Sequence, residues 1–227
     1  MMKFLAEYGA NLADWMPRLI AAAEVTALLS VLGFLLALAL GTLLAMLVRS
    51  PYAFVRRPVK SFVQVMRAVP LLALLLAIYF GLPPIGITLD GFWAGVLGLG
   101  LNGSAYIAEI VRGGLSALHR GQREAALAVG MTPFRTMVHI LIPQAARIML
   151  PPLLNTYVSL LKDSSLCALI ATNELMLAAR AISSESFLPM HIFLLVGLFY
   201  FLVAFPLSML ARLLENRLAR GRRVVGL

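Results

Sequence analysis

The sequence predicts an all-α membrane protein that crosses the bilayer five times, with its amino terminus outside and its carboxyl terminus in the cytoplasm. Three observations carry this. The 227 residues are 61% apolar and only 13% charged, where soluble domains run at about half and a quarter. Apolar runs able to cross a ~30 Å hydrocarbon core recur at about 19–48, 62–82, 92–112, 149–171 and 190–211. The cations between these runs are one-sided. Arg49, Arg56, Arg57 and Lys60 fill the first loop, and Arg112, Arg120, Arg123, Arg135 and Arg147 bracket the long loop 113–147. Arg212, Arg217, Arg220, Arg222 and Arg223 lie in the tail, while the other side has only Lys3, Arg18 and Arg180. Fourteen against three sets the orientation. An odd number of spans must follow, and residues 1–227 read as a single transmembrane domain.

In chain order, residues 1–16 are mixed, and Met1-Met2-Lys3 lacks the pattern of a removable signal peptide. Tyr8 and Trp15 suit a membrane interface. Pro17 opens the first span, with Glu24 and Thr26 expected at the interface. Gly33, Ala37 and Gly41 then repeat small residues every fourth position, a face for close helix contact. The second span stops at Pro83-Pro84, and 84–91 is a short loop. Span three carries Asn102-Gly103-Ser104, a glycosylation pattern without meaning at membrane depth. Span four is the weakest, because Asn155, Lys162 and Asp163 interrupt it. Residues 172–189 read as a polar outer loop in which Glu174, Arg180 and Glu185 are solvated or touch a binding protein. Span five and the basic tail complete the chain.

The polar interruption in loop 113–147 holds Glu124-Ala125-Ala126-Leu127-Ala128-Val129-Gly130, running on to Ile142-Pro143. Good helix formers from Gly121 to Val129 and a terminating Gly130 predict a short helix. Thr132-Pro133 restarts the chain. By residues alone this is an amphipathic helix on a membrane surface, with a small face at Ala125, Ala126 and Ala128 and one directed charge at Glu124.

Glu-Ala-Ala, a Gly shortly after it and Ile-x-Pro near 142 resemble the EAA loop of ABC importer permeases. Met66-Arg67-Ala68-Val69-Pro70-Leu71-Leu72, Tyr79-Phe80-Gly81-Leu82-Pro83, Ala105 to Gly114 and Leu161-Lys162-Asp163-Ser164-Ser165-Leu166 are similar to the polar amino-acid branch of that family. The likeness covers about residues 17–217. It departs at Ala68, where Gly or a small polar residue is expected, and at Ser164, where Thr is commoner. It implies a type I ABC importer permease fold. It further implies that Glu124, Ala125, Ala126 and Gly130 dock on a cytoplasmic ATPase. The implied partners are a second permease copy or close homologue, two ATPase subunits that hold ATP and Mg, and an extracytoplasmic solute-binding protein. The implied cargo is a polar amino acid.

Lys162 and Asp163 are the most expensive residues to place. Lys162 lies roughly 20 Å from a cytoplasmic start near 149, and unpaired, each charge costs at least a few kcal/mol on insertion scales. Neighbours on a helix point about 100° apart, so each needs its own partner, a water-filled path or a ligand. Two readings stand: a pair serving a zwitterionic cargo or its gate, and a brace between helices. Asn155, Ser159, Ser164 and Ser165 either line a path or bond backbone, and Met66 lines that path or packs. Glu109 and Arg112 have the spacing of a local helix ion pair.

Other chemistries are poorly served. No GxxxxGK[ST] phosphate loop is present, so ATP is expected on a partner only. His119, His139 and His191 are too scattered for a metal, and Cys167 is alone in an apolar run. The basic charge lies in short loops rather than on one exposed face, which argues against a nucleic-acid partner. An intramembrane enzyme using Lys162 and Asp163 as an acid–base pair is the rival class.

Overall fold

The computed structural model describes residues 2–222, with side chains from Glu7 to Leu218. Arg223 lies outside the described residues, as do the side chains of Lys3, Arg220 and Arg222. The helices are α1 (Met2–Val48), α2 (Ala53–Ala68), α3 (Leu71–Gly81), α4 (Gly91–Ser116), α5 (Arg120–Ala128), α6 (Pro133–Thr136), α7 (Ile142–Asp163), α8 (Leu175–Ser186) and α9 (Pro189–Arg222). A π turn, Met137–Leu141, joins α6 to α7, and a 3₁₀ stretch, Ser164–Ile170, follows α7.

Small residues set the spine. A Cβ added at Gly33 would meet Leu99 at 3.0 Å, and one at Gly41 would meet Ile107 at 2.7 Å. A Cβ at Gly103 would meet Ala37 at 2.9 Å. The small face read from the sequence is therefore the face on which α1 seats α4. The paired numbers rise together, so α1 and α4 run parallel. α7 runs the other way: Gly114 faces Met149, Gly103 faces Leu160 and Gly95 faces Cys167. α9 starts beside the first turns of α1, where Tyr8 Oη donates to the His191 carbonyl at 2.8 Å, and continues in the same sense, with Phe199 and Val203 lining one small cavity with Ala23 and Ala27.

Four described helices are long and apolar enough to span, or five if the bent pair α2–α3 counts as one. Parallel α1 and α4 decide this point. Residues 49–90 must carry the chain back to its starting end, so the bent pair makes one crossing. The second span is thus not the continuous helix 62–82 of the sequence reading. It bends by 105° at Val69-Pro70, because the residue before proline is pushed out of the helical region, and Val69 sits at φ −76°, ψ 128°.

Three further expectations change near the start of α1. Pro17 lies inside α1 rather than opening it. Trp15 is buried, not interfacial, and packs with Leu19, Ala22, Ile182 and Ile192. Thr26 is buried as well, its Oγ1 accepting from the Leu175 N–H at 3.0 Å and donating to the Ala22 carbonyl. The two burials follow from α8, which occupies the stretch read as a polar loop. Glu174, the residue that caps its start, has none of its surface exposed, against a solvated reading. Glu174 Oε1 accepts from the Leu177 N–H at 2.9 Å, capping α8, and its Oε2 accepts from Tyr200 Oη at 3.0 Å. Arg18 grips the far end of α8 through both Glu185 oxygens, at 2.6 and 2.9 Å.

Candidate functional site

Pro70 has no N–H, so the Met66 carbonyl loses the donor that a continuous helix would supply four residues on. Asn102 on α4 replaces it, its Nδ2 donating to that carbonyl at 2.9 Å. The residue dismissed as a stray glycosylation match is therefore the cap of a broken helix. The break leaves a cavity of about 550 Å³ between the bend, α4 and α7. Arg67, Ala68 and Leu71 line it from the bend, Asn102 and Tyr106 from α4, and Asn155, Thr156, Ser159 and Asp163 from α7. Arg67 stands 5.7 Å over the Tyr106 ring, a cation–π distance.

The structure brings Asn155 and Asp163 into this cavity. Ser159 lines it with them, whereas Lys162, Ser164, Ser165 and the Met66 side chain do not. Lys162 opens instead into a separate cavity of about 320 Å³, beside Tyr200, Ser208 and Arg212. The 100° separation of neighbours on α7 explains this, and the cation that shares a cavity with Asp163 is Arg67. Ser164 is fully buried, donating to the Leu161 carbonyl at 2.7 Å, and Ser165 donates to the Lys162 carbonyl at 2.7 Å. Met66 packs its side chain against the core and contributes only its carbonyl. Arg67 and Tyr106 were the lining residues that sequence reasoning passed over. The signal for Arg67 was a cation beside an X-Pro break within an apolar run, and Tyr106 gave none.

The EAA segment forms α5, capped at its start by His119 Nδ1, which accepts from the Gly121 N–H at 3.1 Å. Gly130 ends it at φ 84°, the left-handed region that favours glycine. Thr132 Oγ1 then caps α6, with Pro133 as its first residue, as the sequence reading expects. Ala126 turns inward, while Glu124, Ala125, Ala128 and Gly130 face out. Gln144 Nε2 donates to Gln122 Oε1 at 3.3 Å and ties α5 to α7. Val129 and Phe134 stand 78% and 75% exposed beside it, so α5 presents a small charged face rimmed by uncovered apolar groups. At the end of α4, Arg112 Nε donates to Glu109 Oε2 at 3.0 Å, the local pair expected from spacing.

Residues 37–220 match the family described as the binding-protein-dependent transport system inner membrane component. The chain belongs to this family. This permease is 40% identical over 161 residues to the probable glutamine ABC transporter permease protein GlnM of Bacillus subtilis (strain 168), covering 71% of this chain and 74% of that one. It is 36% identical over 214 residues to the glutamine transport system permease protein GlnP of Escherichia coli (strain K12), covering 90% and 97%. Among solved structures, a crystal structure of an amino acid ABC transporter with histidines superposes at a TM-score of 0.85 with 33% identity, over 92% of this chain and 97% of that one. The permease is thus a transport subunit of the inner membrane rather than an enzyme, and its family works with a substrate-binding protein and an ATPase.

Proposed function

We propose that this permease moves a polar amino acid inward, and that the cargo passes the cavity at the α2–α3 break. The observation that carries the reading is the cavity's charge pattern: Arg67 on one wall and Asp163 on another, with amide and hydroxyl groups between them. An α-carboxylate pairs with the Arg67 guanidinium and with the unpaired N–H groups at the start of α3, which open at Leu71. The α-ammonium pairs with Asp163. Asn155 and Ser159 face the side chain of the cargo and favour a polar one. Relatives named for glutamine and for L-cystine support this class. An intramembrane enzyme built on Lys162 and Asp163 fits poorly, because the two side chains open into different cavities.

Around this path we place a second permease copy, identical or closely related, with residues 1–227 acting as one transmembrane unit. Two ATPase subunits carry ATP and Mg and engage Glu124, Ala125 and Gly130 on α5, with Ala126 holding that helix to the rest of the loop. A solute-binding protein delivers cargo at the opposite face, where the amino terminus lies by the charge rule. Lys162, with Ser164 and Ser165 behind it, serves the gate or braces α7 on α9. The amino acid itself is the test. In proteoliposomes loaded with ATP and containing the full complex, Asp163→Asn and Arg67→Gln should each raise the cargo concentration needed for uptake. Loss of one charge-assisted contact predicts roughly 10- to 100-fold. Wild-type concentration dependence in both variants would remove this cavity from the path.

A further inference from the structure

A second cavity, of about 520 Å³, lies at the end of the bundle where α1 and α4 finish. Its walls carry Arg49 from the end of α1, Lys60 and Arg67 from α2, and Arg112 from α4. One carboxylate, Glu109, shares the space and is already held by Arg112. Among the described residues, Arg49, Lys60 and Arg67 have no carboxylate within 4.0 Å. Four cations against the one Glu109 carboxylate leave this concavity with net positive charge, which attracts an anion.

The connection between two of these walls says which kind. Tyr52 and Phe54, on the stretch that leads from Arg49 to Lys60, are 63% and 76% exposed, with ring centroids 5.7 Å apart. α2 itself is amphipathic, carrying Arg56, Arg57 and Lys60 among apolar residues. Cations and uncovered aromatic rings on one short stretch of chain, where an apolar helix run ends, match the chemistry of a membrane–water interface. We propose that this cavity seats the phosphodiester headgroup of an anionic phospholipid, with Arg49 and Lys60 on the phosphate and the Tyr52–Phe54 pair against its glycerol and upper acyl chains. A free phosphate would make no use of the aromatic pair, and a passing amino acid none of Arg49 at the outer rim.

Photolabelling tests this without reference to transported cargo. The complete transporter is placed in phosphatidylcholine nanodiscs containing a trace of photoactivatable phosphatidylglycerol. Labelled peptides are then mapped. Residues 49–67 and 109–116 should be labelled well above the level given by a photoactivatable phosphatidylcholine. Arg49→Gln combined with Lys60→Gln should cut that labelling about tenfold. Equal labelling by the two lipids overturns the proposal, and this contrast needs only the wild-type protein should the double variant fail to assemble. Displacement of the probe by millimolar inorganic phosphate, or by millimolar L-glutamine, also overturns it, in favour of a free anion or of cargo on its way out.

Discussion

A carboxyl group with no exposed surface must earn its place through hydrogen bonds, and Glu174 does so with the Leu177 N–H and Tyr200 Oη. Burial pushes its pKa above the usual carboxylate range, although those bonds pull the other way. A folded-state pKa above the unfolded one means that the folded protein holds the proton more tightly. Stability from this group therefore rises as pH falls from neutral through the raised folded value, and levels off below the ordinary Glu value of about 4.3. The wild type should gain thermal stability relative to Glu174→Gln when both are moved from neutral to mildly acidic pH. A constant difference between the two melting temperatures would show that Glu174 does not titrate there. Glu174→Leu strands both donors and should cost about 1–3 kcal/mol at neutral pH. None of this was legible beforehand. Glu174, Thr26 and Trp15 look like surface residues until α8 is known to cover them, and the charges at Arg180 and Glu185 disguise that helix as a loop.

Helices that bury only one stripe were easier to read than helices that break. The Gly33, Ala37 and Gly41 spacing and the α5–Gly130–Thr132-Pro133 punctuation are both local signals, and both reappear in the structure. The break between α2 and α3 was half legible. Pro70 announces it, yet the donor that satisfies the Met66 carbonyl is Asn102, thirty-six residues from Met66, and the 105° angle had no local signal. Asn102→Leu should strand the Met66 carbonyl and destabilise the permease by about 1–3 kcal/mol. Adding Pro70→Ala returns an N–H to that carbonyl and should recover the stability, while straightening the helix and closing the cavity to transport. If the double variant transports at the wild-type rate, the bend has no part in the path. For α5, Glu124→Lys or Gly130→Trp should stop ATP-driven uptake in a permease that still inserts and folds. The exposed faces of Val129 and Phe134 have no partner among the described residues and need one. Full uptake by both variants would leave α5 as an ordinary surface helix.

At the scale of the whole molecule, two independent arguments meet on one topology. Charge places the cation-rich loops on one side, fourteen Lys and Arg against three. Helix direction comes from side-chain contacts that owe nothing to charge. α1, α4 and α9 run one way and α7 the other, which forces the bent α2–α3 pair to cross once. Had that pair been a re-entrant loop, the chain would cross four times and both termini would lie on one side. The cation-rich first loop would then sit opposite the cation-rich segments around α5, against the charge rule. The prediction is sharp for that reason. Reporters fused after Arg57 and after Arg217 should read cytoplasm, and one inserted near Ser184 in α8 should read the outside. An outside signal after Arg217 with a cytoplasmic one after Arg57 would mean four crossings. It would also mean that α4 cannot run parallel to α1, and the contacts of Gly33 with Leu99 and Gly41 with Ile107 would have to be abandoned together.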